Sequence, residues 1–93
     1  MAGLGPIRRN VTVANPNGLH MRPATQFAIQ ARTYKSRIRV HNGSNSADGK
    51  SPMDMMLLVA LPGAELVLEA DGVDAESAVE ILAELLGSPG DGL

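Results

Sequence analysis

Arg37-Ile38-Arg39-Val40-His41-Asn42-Gly43-Ser44-Asn45-Ser46-Ala47-Asp48 sets the architecture of this chain. Ile38 and Val40 alternate with Arg37, Arg39 and His41, the period of a strand with one buried face. Asn42-Gly43 is a tight hairpin signal, and residues 44–48 give a short polar strand suited to a sheet edge. A hairpin makes its two strands antiparallel, so the rest of the sheet is read from there.

Toward the N-terminus, Arg9, Val11 and Val13 alternate with Arg8, Asn10 and Thr12 as a half-buried strand that ends in the turn residues Asn15-Pro16-Asn17-Gly18. Ala24, Phe27, Ala28 and Ala31 then stand at i, i+3, i+4 and i+7, one apolar face of a helix over residues 21–33. Toward the C-terminus, Ser51-Pro52-Met53-Asp54 reads as a helix start, a Ser and Asp capping box with Pro at the first helical position. Met53, Met56, Leu57 and Ala60 form its expected core face, and Leu61-Pro62-Gly63 stops it. Leu66, Leu68 and Ala70 alternate with Glu65, Val67 and Glu69, Asp71-Gly72 turns the chain, and Asp74 caps a final helix. That helix buries Ala75, Ala78, Val79, Leu82, Leu85 and Leu86 and exposes Glu76, Glu80 and Glu84.

The order β-α-β-β-α-β-α, with strands joined by a hairpin and short helices, implies an α+β open-faced sandwich. Its four-stranded, mainly antiparallel sheet carries all three helices on one face. Residues 1–6 read as a flexible arm and the breaker-rich residues 87–93 as a flexible tail, leaving one folded unit over 7–86.

Ninety-three residues with 44% hydrophobic content build one modest core and no second domain. Without cysteine there are no disulfides, thiolate metal sites or Cys nucleophiles. One Phe, one Tyr and no Trp leave no stacking platform for nucleic acid. No apolar run approaches the roughly 20 residues that span a bilayer, so a cytoplasmic protein without membrane insertion is expected. All eight Lys and Arg lie in residues 1–50 with one acid, and the other nine acids lie in residues 51–93, so the halves carry +7 and −9. Such polarity suits orienting an anionic ligand or an acidic partner.

The chemistry is concentrated in Gly18-Leu19-His20-Met21-Arg22-Pro23-Ala24. His20 follows a turn and precedes a helix whose third residue is Pro23, which places it at the N-cap. A helix N-terminus supplies unpaired N–H groups and a partial positive charge, suited to a neutral nucleophile and to an anion attached to it. Arg22, two positions on, can neutralise phosphate oxygens. A histidine that accepts and releases a phosphoryl group needs this set; the same residues also fit a capping or surface histidine without chemistry.

Asn15-Pro16-Asn17-Gly18-Leu19-His20-Met21-Arg22-Pro23-Ala24-Thr25-Gln26-Phe27 resembles the active-centre signature of the HPr family, histidine-containing phosphocarriers of the bacterial phosphoenolpyruvate-dependent sugar phosphotransferase system. Gly49-Lys50-Ser51 is similar to that family's regulatory-serine region, and Glu69-Ala70-Asp71-Gly72 to the approach to its last helix, so the likeness spans residues 7–86. It implies a carrier rather than a stand-alone enzyme. Enzyme I would phosphorylate His20 on Nδ1, and an enzyme IIA domain would take the phosphoryl group. Arg22 would swing onto the phosphate, Asn17 would help order the turn, and the amides of Met21 and Arg22 would hold the oxygens. A regulatory, nitrogen-related relay that docks on target proteins shares the same motif and is the alternative. A monomer is the expected state, and no cofactor is implied.

Partner docking is assigned to Arg22, Thr25, Ile29 and Arg32, which recur on the side of the first helix opposite its core face. The architecture that the resemblance implies sets the short helix beside the active centre, so Lys50, Met53 and Met56 join it, where adaptable Met side chains suit several partners. Arg22, Arg32 and Lys50 are placed around His20, whereas the Glu76, Glu80 and Glu84 stripe is a solvated face. The resemblance makes Ser51 the candidate regulatory phosphoserine, which an HPr kinase/phosphorylase using ATP would modify, although Asp54 three residues on would oppose a phosphate. His41 is read as a plain surface residue. Two histidines with no carboxylate cluster make no metal site, and Gly49-Lys50-Ser51 lacks the earlier glycine of a nucleotide-binding loop.

Overall fold

Alternating apolar residues and local turn signals resolve into seven elements in the computed structural model, which describes residues 5–89: β1 (Ile7–Thr12), α1 (Met21–Ala31), β2 (Arg37–Asn42), β3 (Asn45–Asp48), α2 (Pro52–Leu57), β4 (Glu65–Asp71) and α3 (Ala75–Leu86). The expected order holds. The arm and tail assigned to residues 1–6 and 87–93 fall largely outside the described residues, at 1–4 and 90–93.

The four strands lie in the order β1-β4-β2-β3, every pair antiparallel, with β3 at one edge as its polar sequence requires. Asn42 pairs with Asn45, so the hairpin loop is Gly43-Ser44, one residue later than Asn42-Gly43 suggested. Gly43 takes φ +62° at the first central position of a two-residue loop, where a side chain is disfavoured. Asn42 is thereby left in the strand, and its side-chain N–H donates to the Leu58 carbonyl at 2.9 Å.

Ile38, Val40, Leu66, Leu68 and Ala70 point to one sheet face and are buried. Against them pack Ala24, Phe27 and Ala31 of α1 and Ala78, Val79 and Leu82 of α3. α1 lies between its neighbours and touches both α2 and α3; α3 covers β1 and β4, and α2 lies beside β3.

α2 corrects the expected pattern. Its buried side chains are Met55 and, just beyond its end, Leu58, whereas Met53, Met56 and Leu57 are exposed. Burying each of two such side chains contributes about 1.5–3 kcal/mol, enough to fix the rotation of a helix of only 6 residues. The helix also ends earlier than its Leu61-Pro62-Gly63 stop. Leu58 is the C-cap, and Val59 leaves with φ +50°.

Candidate functional site

The loop from β1 to α1 is fixed from within. Asn15 is buried; its side-chain oxygen accepts the Asn17 N–H at 2.9 Å, and its carbonyl accepts the Gly18 N–H at 2.9 Å. Ordering of the turn therefore falls to the Asn15 side chain rather than to that of Asn17, which is exposed beside His20. An asparagine whose side chain caps the amide two residues on is a local turn device, so Asn15 was discoverable from the sequence. Gly18 follows with φ +73°, and a Cβ there would stand 2.7 Å from the Ala60 carbonyl oxygen. The Leu19 N–H donates to that same oxygen at 2.9 Å. The segment after α2 thus anchors the residues just ahead of α1.

His20 sits at the N-cap of α1 with extended backbone, and its side chain makes no capping hydrogen bond. Its carbonyl accepts the Ala24 N–H at 3.0 Å. Ahead of that bond the helix end presents the amides of Met21 and Arg22, because Pro23 has none. The imidazole is half-buried between two shallow depressions. One is lined by His20, Met21, Arg22, Thr25 and Gln26, and the other by Asn17, Leu19, His20, Met21, Met56, Val59, Ala60 and Leu61. Arg22 is exposed and forms no ion pair among the described residues. The geometry therefore unites His20, Arg22, two helix-end amides and an apolar collar. It can hold an anion against an imidazole that solvent and a partner can reach.

The residues expected to meet a partner divide between two ends of α1. Thr25 and Ile29 follow Arg22 on its outer side, with Ile29 exposed. Arg32 lies 12 residues beyond His20, about 18 Å along the helix. Its Nε donates to the Lys50 carbonyl at 2.8 Å, while Lys50 Nζ donates to the Tyr34 carbonyl at 2.8 Å. The placement of Arg32 and Lys50 around His20 is corrected: both stand at the far end of α1, because α2 starts there and runs antiparallel to α1. Ser51 is at that end too. Its Oγ accepts the Asp54 N–H at 3.2 Å, but the Asp54 carboxylate accepts the Asp48 N–H at 3.1 Å instead of reaching back to Ser51, so only half of the capping box forms.

Other polar side chains take on structural work. Asp74 is the N-cap residue of α3 without a side-chain cap; its carboxylate instead accepts the Lys35 N–H at 2.8 Å, the Ser36 N–H at 2.9 Å and the Ser36 hydroxyl at 2.6 Å. The Ser36 hydroxyl, then the Lys35 amide, hold its pKa down at about 2. His41 is more than a plain surface residue, since its ring contacts Ser46 Oγ and Glu69 Oε1, each at 2.8 Å, on the open face of the sheet. The hydrogen bond from His41, helped by the Arg8 charge, draws the Glu69 carboxyl below its ordinary value. Among the described residues no group of three or more His, Cys, Asp or Glu side chains could hold a metal ion, and no helix there is long and apolar enough to cross a membrane.

Residues 7–88 match the family model described as "PTS HPr component phosphorylation site". The chain is similar to the phosphocarrier protein HPr of Haemophilus influenzae, 40% identical over 78 residues that cover 84% of this chain and 92% of that one. It is also similar to the crystal structure of a phosphocarrier protein HPr from Bacillus anthracis, with TM-score 0.83 and 31% identity over 87% of this chain and 96% of the other. A multiphosphoryl transfer protein of Xanthomonas campestris matches at 36% identity over 83% of this chain but only 9% of its own length.

Proposed function

The chain belongs to the HPr family of phosphocarrier proteins of the phosphotransferase system, and on that premise we propose that His20 takes a phosphoryl group from phosphorylated enzyme I and passes it to a histidine of a sugar-specific enzyme IIA. The observation that carries this reading is His20 at the N-cap of α1, its imidazole unused for capping and next to Arg22 and two helix-end amides. As the P–N bond on the donor histidine breaks, one to His20 forms, and charge spreads over the three phosphoryl oxygens. The amides of Met21 and Arg22 and the Arg22 guanidinium meet that charge where it develops. Arg22 has no ion pair to give up among the described residues, so it can reorient onto the phosphate at little cost. Approach in line requires a site open to a partner's surface, and the two shallow depressions beside His20 provide one. Met56 and Met53, with Thr25 and Ile29 on α1, extend the surface a partner meets; Arg32 and Lys50 form its distant basic end. A relative named as a multiphosphoryl transfer protein, in which the matching segment is a small part, supports partners of the phosphoryl-transfer kind.

The test is labelling with enzyme I and radioactive phosphoenolpyruvate. The native chain is expected to take up acid-labile label and His20→Ala none; undiminished acid-labile label on His20→Ala overturns the assignment.

A further inference from the structure

Methionine is distributed unevenly around the site. Met55 is fully buried at 0% exposure, whereas Met21, Met53 and Met56 stand 64%, 71% and 38% exposed. Met21 and Met56 line the same depression as His20. A thioether is apolar and adaptable, which suits a surface that receives partners. It is also open to two-electron oxidation, and the sulfoxide that forms is polar.

We propose that Met21 and Met56 make the His20 site an oxidant-sensitive one, in which a peroxide converts their thioethers to sulfoxides and slows phosphoryl transfer. The inference rests on His20 being the phosphoryl acceptor. In the step itself the sulfur takes one oxygen atom from the peroxide and loses two electrons, the O–O bond breaks, and hydrogen peroxide leaves as water. Two consequences follow from the geometry. The collar around His20 loses apolar surface that a partner would bury. A negatively polarised sulfoxide oxygen is placed beside the position where an anionic phosphoryl group arrives, a repulsion strengthened when docking excludes water. Met55, packed in the core, is shielded, so among the described residues oxidation falls on the exposed set and the fold survives it. Sulfoxide reductases reverse the change, which makes it a switch rather than a lesion.

The experiment treats the full chain with hydrogen peroxide, maps sulfoxides by peptide mass spectrometry, and measures the initial rate of phosphorylation by enzyme I before and after treatment. Met21 and Met56 are expected to oxidise well ahead of Met55, and the rate is expected to fall about fivefold, with recovery after treatment with sulfoxide reductase. In the Met21→Leu/Met56→Leu double variant, treated and untreated samples are expected to share one rate, whatever that rate is. Equal rates before and after oxidation of the native chain overturn the proposal, as does a loss of the same size in the double variant. If the untreated chain takes no label, the acceptor reading fails and the proposed slowing fails with it; label on the untreated chain with no response to mapped oxidation fails the oxidant proposal alone.

Discussion

At Val59 the backbone takes φ +50°, a left-handed conformation that costs a β-branched residue about 1–3 kcal/mol. The side chain is 67% exposed, so burial recovers little of that cost. The strain sits where the chain turns from the short helix toward Ala60, whose carbonyl holds Leu19 and crowds Gly18 next to His20. Val59→Gly removes the strain and adds about 0.5–1 kcal/mol of backbone entropy cost, so the net expectation is a gain of about 1 kcal/mol, read as a higher midpoint in urea. An unchanged or lower midpoint would show that the valine makes contacts worth more than its strain. Nothing in Leu57-Leu58-Val59-Ala60 announces a left-handed residue, since glycine or asparagine is the usual signal. His20 was legible for the opposite reason: turn, histidine, arginine and proline lie within a few residues of one another, and local spacing alone puts them at one helix end.

At the scale of elements, legibility followed length and locality. α1 has 11 residues and a single apolar face, and its buried set Ala24, Phe27, Ala28 and Ala31 is the one its period predicts. α2 has 6 residues, with apolar side chains at 53, 55, 56 and 57 and another at its C-cap, 58, so more than one rotation satisfies its pattern. The choice was made by the core under Met55 and Leu58, outside the segment itself. Asp74 shows the same limit. A cap is a local inference, but its carboxylate was claimed by amides 38 and 39 residues away. That clasp ties the start of α3 to the turn before β2 and gives folding a pH dependence. The folded pKa is depressed from an ordinary 3.8 to about 2, so the contribution is complete above the unfolded value and disappears as pH falls through the folded one. Asp74→Asn is expected to lower the urea midpoint at neutral pH, with the gap to the native chain closing between pH 4 and pH 2. A gap independent of pH across that range would mean that the charge of the carboxylate contributes nothing.

For the whole molecule, the division into a basic and an acidic half is undone by the sheet. The strand order inserts β4 of the acidic half between β1 and β2 of the basic half: Arg8 faces Glu69, Arg37 faces Asp71, and Arg39 stands between Glu69 and Asp48. Cross-strand neighbours of opposite sign stabilise the open face and cancel much of its field. Arg32 and Lys50 hydrogen-bond backbone carbonyls at the far end of α1, beyond a Debye length of about 8 Å from His20 at physiological salt. Arg22 is then the cation expected to govern attraction of an anionic group to the site, while Glu76, Glu80 and Glu84 lie exposed on α3. Raising salt from roughly 50 mM to 500 mM is expected to slow phosphorylation by enzyme I at limiting concentration of the chain. Arg22→Gln should be slower at every salt and show a flatter dependence, because the charge being screened is gone. Replacing Glu76, Glu80 and Glu84 together with Gln should leave the native slope. A triple variant that flattens the slope as far as Arg22→Gln does would assign the steering to the protein's overall field instead of to the one cation beside His20.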